Sequence, residues 1–278
     1  MKNWTYREAD VRLLEHSDLR RLLRLQSVPD YTTLYRFLKR LQPEDVRRGL
    51  PAVVKHMPGK RQRRTGAVDA TGLAKGAIRS YFIRRRQDHT GQPTSRRHWL
   101  KWLLTVDIQP QFILAQDARR GPWNDCATLP QRLSEAQPTA PIGCVLADVE
   151  FDAERNHTFI RNQLHVHSII PAKRRSSQPA SGVRAFMRIA FPQKQYRQRN
   201  LIESVFSTVK RKLTCRASGR SFATPSRQAL LLGLTFNLYR LRPLCAYDAE
   251  TDCLAIITEQ GKSGDQHDQQ ARSRSDWV

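Results

Sequence analysis

The chain has 278 residues, enough for one large domain or one domain with a small appendage, and its 39% hydrophobic content can fill a core. Charge is the outlying quantity: 48 Lys and Arg against 25 Asp and Glu leave a net +23, a self-repulsion that a polyanion relieves. Nucleic acid is the usual polyanion, bound through phosphate neutralisation, with an anionic membrane surface as the rival. No apolar run approaches the roughly 20 residues needed to span a bilayer, so no membrane association is expected. The opening Met1-Lys2-Asn3-Trp4 leads into charged, helix-like sequence and not into a signal peptide. Five widely spaced cysteines (Cys126, Cys144, Cys215, Cys245 and Cys253) form no CxxC, which argues against a disulfide framework or zinc site and for reduced cytosolic thiols.

Residues 1–57 read as helices. Leu13, Leu14, Leu22, Leu23 and Leu25 lie among Arg and Glu, and Val28-Pro29-Asp30 breaks the pattern. Tyr31 to Leu41 follows, with Leu34, Phe37, Leu38 and Leu41 at helical spacing and Asp30 as its N-cap. Helix, short turn and basic helix outline a helix-turn-helix DNA reader, although an ordinary amphipathic hairpin has the same outline. Pro43 and Pro51 are expected to end the segment. Pro58 to Arg64 is a basic linker.

Thr65 to Leu73 is a strand of small, mostly apolar residues, and Ala77 to Ile83 reads as a second strand. His98 to Asp107 and Gln111 to Gln116 form a long strand pair around Gln109-Pro110. Asp125 to Glu135 is a helix with Asp125 as N-cap. Gly143 to Asp148 is a buried-type strand ending on an acid. A helix from Ala153 to Gln163, a strand from Val166 to Pro171, a loop from Lys173 to Arg184 and a long helix from Gln195 to Leu213 follow. Gln228 to Leu241 is an apolar helix that packs on the sheet. Residues 248–278 form a polar tail, expected to be disordered. Leading antiparallel strands followed by alternating helix and strand predict an α/β fold, an RNase H-like mixed sheet flanked by helices, with a small N-terminal helical region. The catalytic domain then runs over 58–247.

Three acids stand out. Asp69 interrupts an apolar strand, where an ionised carboxylate costs several kcal/mol unless paired or metal-bound; metal binding is the favoured reading and an arginine partner the alternative. Asp148 closes its strand at the carboxyl end, where functional groups of such sheets collect; the alternative is that it only caps the following turn. Asp152 is the better N-cap for the following helix, which leaves Asp148 as a ligand. Glu203 lies in the long helix. At 3.6 residues per turn, Tyr196, Arg199, Glu203 and Lys210 share an arc of roughly 60°, while Leu201, Val205, Thr208 and Val209 turn towards another face. Alone, that arc would pass for a solvated face with an i,i+4 ion pair. Phosphodiester chemistry supplies the context. Two hard divalent cations flanking an in-line attack need oxygen ligands, and carboxylates suit Mg²⁺, with Mn²⁺ able to substitute. Asp69 would bridge the ions and Asp148 and Glu203 would each hold one. Arg199 and Lys210 would grip phosphates on either side of the scissile bond, and Tyr196 would contact a phosphate or sugar, or pack.

Tyr196-x2-Arg199-x3-Glu203-x6-Lys210, after Asp69 in Val-Asp-Ala-Thr-Gly and Asp148 in Leu-Ala-Asp-x-Glu-Phe-Asp, resembles the YREK pattern and paired aspartates of insertion-sequence DDE transposases. Gly121-x3-Asp125 resembles a further segment of that family with a structural part. The likeness covers about residues 60–242. It implies an enzyme that binds the inverted-repeat ends of a transposable element and nicks them to free a 3′-OH. That end is then joined to target DNA, by a dimer on double-stranded DNA in the nucleoid of a bacterial or archaeal cytoplasm. Some relatives carry a large β domain between the second Asp and the Glu; the 54 residues between Asp148 and Glu203 leave little room for one. Two other readings use the same residues: an RNase H-like nuclease that does not transpose, and an inactive, transposase-derived DNA-binding protein.

Overall fold

The computed structural model describes residues 5–57, 63–73, 100–121, 125–173, 181–217 and 222–248. The expected strand at 77–83, most of the linker at 58–64 and the tail from 249 lie outside the described residues.

Four helices open the chain: α1 (Tyr6–Glu15), α2 (Ser17–Leu22), α3 (Tyr31–Arg40) and α4 (Pro43–Val54). A capping box starts α1. Thr5 Oγ1 accepts the Glu8 N–H at 3.2 Å and the Glu8 carboxylate accepts the Thr5 N–H at 2.6 Å. Asp30 caps α3 as expected, accepting the N–H groups of Thr32 and Thr33 at 2.6 and 3.1 Å. The two prolines do not end the segment. Pro43 opens α4 in its first turn, where a missing N–H costs nothing, and Pro51 is carried inside the same helix. Of the early leucines Leu13 is buried, whereas Leu14 and Leu22 remain largely exposed. By contrast α4 is committed to the interior. Val46 and Leu50 belong to the same core cluster as the strands, and Arg47 donates to Asp117 at 3.2 Å.

The sheet has five strands: β1 (Arg64–Leu73), β2 (Leu100–Asp107), β3 (Phe112–Arg120), β4 (Ile142–Ala147) and β5 (His167–Ile169), in the order β3-β2-β1-β4-β5. The pairs β1–β2 and β2–β3 are antiparallel, and β1–β4 and β4–β5 are parallel. This is the RNase H-like mixed sheet expected from the element order. Trp102, Leu104, Val106 and Ile113 are fully buried around its centre. Between β3 and β4 lies α5 (Leu129–Ala136), and between β4 and β5 lies α6 (Glu154–Thr158), whose helical path continues through Gln163 in wider turns. Then come α7 (Gly182–Ile189), which begins inside the expected loop, and α8 (Gln193–Tyr196). A tight turn at Arg197–Asn200 leads into α9 (Leu201–Thr208), a wider turn covers Val209–Leu213, and the chain ends in α10 (Ala223–Asp248).

The stretch 193–213 is thus helical throughout but not one regular helix. Its buried residues are Ile202, Val205, Phe206, Val209 and Leu213, while Leu201 is exposed. Tight and wide turns shift the phase by tens of degrees, so the packing face differs from the one an ideal helix assigns to Leu201 and Thr208. By compactness the chain divides after Asn237, within α10. Inside the first unit α10 covers the free edge of β3. The Asn237 side-chain amide donates to the Ile113 carbonyl and accepts its N–H, both at 2.8 Å. Gln116 Nε2 donates to the Leu230 carbonyl at 2.7 Å. An edge strand closed in this way offers no template for further pairing.

Candidate active site

The register of β1 against β4 brings the two aspartates together. Val68 stands beside Ala147 on parallel strands, and one residue further along each strand come Asp69 and Asp148. Each carboxylate accepts the N–H of the next residue, Ala70 at 2.8 Å and Val149 at 2.6 Å. Burial pushes the Asp69 carboxyl above its usual range; Arg199 opposes that shift and Asp148 adds to it. The β1 strand therefore presents an acid that is desolvated and close to a second acid, a combination that calls for positive charge.

In this structure the positive charge comes from the stretch 193–213. Arg199 Nη1 donates to Asp69 Oδ2 at 2.7 Å, and Arg199 Nη2 lies 3.5 Å from Glu203 Oε1. Burial works against the Arg199 charge, but Asp69, Tyr196 and Asp148 together hold its pKa above the ordinary value. Its guanidinium carbon sits 5.9 Å from the centre of the Tyr196 ring, and that ring packs edge-on against Phe191 at 5.0 Å. Burial raises the Tyr196 phenol, which stays protonated. Further on, Lys210 Nζ donates to Thr71 Oγ1 at 2.6 Å. Burial holds the Lys210 ammonium below its usual range. Asp69 and Asp148 thus stand side by side just past the β1–β4 pairing, Arg199 joins Asp69 to Glu203 and lies near the Tyr196 ring, and Lys210 reaches β1 at Thr71. Glu203 is on the rim, with its side chain 62% exposed.

Thr71 is a site residue that the sequence reading passed over. It stands two positions after Asp69, and residues i and i+2 of a strand share a face. That alternation was the available signal. The strand gives one residue to Arg199 and the next on the same face to Lys210.

Two expected N-caps have other work. Asp152 does not cap α6: its N-cap is Ala153, without a side-chain bond. Asp148 caps the short turn Val149–Phe151 instead. The buried Asp152 carboxylate takes Arg184 Nε and Nη2, both at 2.8 Å, and the Lys173 N–H at 2.8 Å. Burial alone would raise its pKa, but these bonds hold it below the usual range. Asp125 does not cap the helix after it either. It is buried and ion-paired with Lys101 of β2, which accounts physically for an acid at that position. A buried carboxylate satisfies its charge before it serves a helix end.

Among the described residues no group of three or more His, Cys, Asp or Glu is placed so that it could hold a metal ion. The donor chemistry nevertheless suits a hard cation. Asp69, Asp148 and Glu203 offer oxygen only, and Asp69 and Glu203 already share one cationic group, the Arg199 guanidinium.

Residues 60–238 match the transposase DDE domain family. That span is more than half of the chain, and the protein belongs to this family: it is a DNA transposase, of the nuclease and strand-transfer class. No curated protein is significantly similar in sequence. Among solved structures, the catalytic core domain of BIV integrase is similar at 10% identity, covering 63% of this chain and 82% of that one, with a TM-score of 0.28. The Mos1 mariner paired end complex with Mn is similar at 13% identity, covering 90% and 80%, with a TM-score of 0.26. The Drosophila P element transposase strand transfer complex is similar at 10% identity, covering 90% and 82%, with a TM-score of 0.32. No described helix is long and apolar enough to cross a membrane.

Proposed function

We propose that this transposase cleaves the inverted-repeat ends of its element and joins the freed 3′-OH to target DNA, with Asp69, Asp148 and Glu203 as the ligands of Mg²⁺, for which Mn²⁺ can substitute. The observation that carries the reading is the placement of Asp69, in the middle of β1, beside Asp148 at the end of β4, with Glu203 tied to Asp69 through Arg199. Bound there, two divalent cations would activate the attacking oxygen and stabilise the leaving one.

The chain's own residues do the rest. Asp69 lies on the central strand beside Asp148 and would hold the ions together with it. Asp148 is fixed by its bond to the Val149 N–H and presents its second oxygen. Glu203, exposed and next to Arg199, would supply the third oxygen ligand. Arg199 and Lys210 hold DNA phosphates on the two sides of the scissile bond, and Tyr196 packs its ring beneath Arg199 and directs its hydroxyl to the DNA backbone. The net charge of +23 supplies the sequence-independent part of DNA affinity. Residues 1–57 make up a DNA-reading region, 58–247 the catalytic domain and 248–278 a polar tail. Two ends must be paired for joining, so the working form is a dimer on double-stranded DNA. The protein works on the nucleoid of a bacterial or archaeal cytoplasm.

The test is a joining reaction. The purified protein is mixed with Mg²⁺, a labelled duplex carrying the terminal repeat that flanks its gene, and a target plasmid. The proposal expects nicks that expose the 3′-OH at the repeat and covalent end-to-plasmid products. Cutting of any duplex without joining would make the protein a nuclease only, and binding without Mg²⁺-dependent cutting would make it a DNA-binding protein only.

A further inference from the structure

We infer that Arg199 is a built-in counter-ion that competes with the divalent cation for Asp69 and Glu203, so that the acids accept a metal ion readily only once a DNA phosphate draws the guanidinium away. This rests on Asp69 and Glu203 being metal ligands.

The geometry is specific. One guanidinium nitrogen of Arg199 is 2.7 Å from Asp69 Oδ2 and the other is 3.5 Å from Glu203 Oε1. A single cation therefore already spans the two acids from opposite elements. The Arg199 and Asp69 side chains are only 13% and 19% exposed, so their pairing is little screened by solvent, whereas the contact to the exposed Glu203 is screened. The Arg199 Nε is buried without a hydrogen-bond partner. The arginine thus has hydrogen-bonding capacity left over, and a phosphate, which binds guanidinium by parallel N–H bonds, can use it. A divalent ion placed between the same carboxylates would face the guanidinium at contact distance, and two positive groups there repel. One of them must leave. Thermodynamic linkage makes the effect reciprocal: whatever removes Arg199 from the acids raises metal affinity, and metal binding frees Arg199 for phosphate by the same factor.

The second acid of the pair explains why the counter-ion is needed. Asp69 and Asp148 are neighbours on parallel strands, and an uncompensated pair would hold the strand ends apart. Arg199 keeps the DNA-free site assembled and closed to stray cations. In the DNA-bound site the same residue is a phosphate grip.

The experiment reads Mn²⁺ binding to the full-length, DNA-free protein by electron paramagnetic resonance of the free ion. The binding lost on Asp69→Asn defines the site. Arg199→Gln should bind Mn²⁺ there about tenfold more tightly than wild type, a change of about 1.4 kcal/mol. Arg199→Lys, which keeps the charge, should stay close to wild type. A general loosening of the helix would move both variants together and overturns the competition. Equal or weaker binding by Arg199→Gln also overturns it, because Arg199 would then order the acids for the metal. Absence of any Asp69-dependent Mn²⁺ binding in all proteins would overturn the metal site itself as well.

Discussion

At the scale of single residues, Asp69 decides the pH behaviour of the site. Its carboxyl is held above the ordinary value mainly by burial. A raised carboxyl binds its proton more tightly in the folded state, so the stability it contributes is complete below pH 3.8 and is lost as pH rises through the folded value. Wild type should therefore lose melting temperature relative to Asp69→Asn over that window, read by thermal melts across a pH series without metal. Mg²⁺ affinity should climb over the same window, because the ion displaces a proton. Thr71 gives a second residue-scale expectation. Thr71→Val removes the acceptor of Lys210 and should weaken binding of the cleavable DNA end by roughly tenfold, about 1.4 kcal/mol, as expected for a hydrogen bond to a charged group. Thr71→Ser should restore it, as measured by filter binding. The chain showed its acids and its helix-borne cations in plain sequence. It did not show the partners, since Lys210 and Thr71 are 139 positions apart and only the fold brings them together.

At the scale of elements, the legible features were those with local causes. Asp30 caps α3 because the bonds it makes are two and three residues away. β1 and the strand leading to Asp148 follow from runs of small and β-branched residues, and β2 and β3 from larger apolar ones. What was not legible depended on distant partners. Asp152 looked like a cap, but Arg184, 32 positions on, claims both of its oxygens. Asp152→Ala leaves that arginine largely buried and unpaired, and should cost roughly 3–5 kcal/mol in urea unfolding at neutral pH. Because the Asp152 carboxyl is held below its usual range, its stabilisation is complete above pH 3.8. The gap between wild type and variant should therefore shrink as pH falls below that value. The long helix was right in extent and wrong in phase: the turns at Arg197–Asn200 and Val209–Leu213 depart from 3.6 residues per turn. Arg199 and Lys210 still reach β1, at Asp69 and Thr71, because their long side chains absorb the error.

For the molecule as a whole, the mixed sheet came from the alternation of elements, whereas its strand order is read from the structure, and the family match covers the same region. The attachment of α4 did not come from that alternation either. Its Val46 and Leu50 lie in the core of the sheet, 2–3% exposed, although a basic linker separates them from β1 in sequence. Leu50→Ala should cost about 2–5 kcal/mol of global stability, read as a lower urea midpoint with an unchanged slope. A protein starting at residue 58 would lose part of its own core. The charge of the whole chain sets the salt response: each phosphate contact should contribute about −0.9 to the slope of log K against log salt. Arg199→Gln and Lys210→Gln should each flatten that slope by about one contact.

The central claim is that Glu203, remote in sequence from Asp69 and Asp148, completes one metal-dependent catalytic set with them. The most direct measurement is the rate of end cleavage by Glu203→Gln in Mg²⁺, at DNA concentrations that saturate both proteins. The account predicts DNA binding within about twofold of wild type and a cleavage rate lower by about a thousandfold, roughly 4 kcal/mol of barrier. Cleavage by Glu203→Gln at the wild-type rate would contradict it.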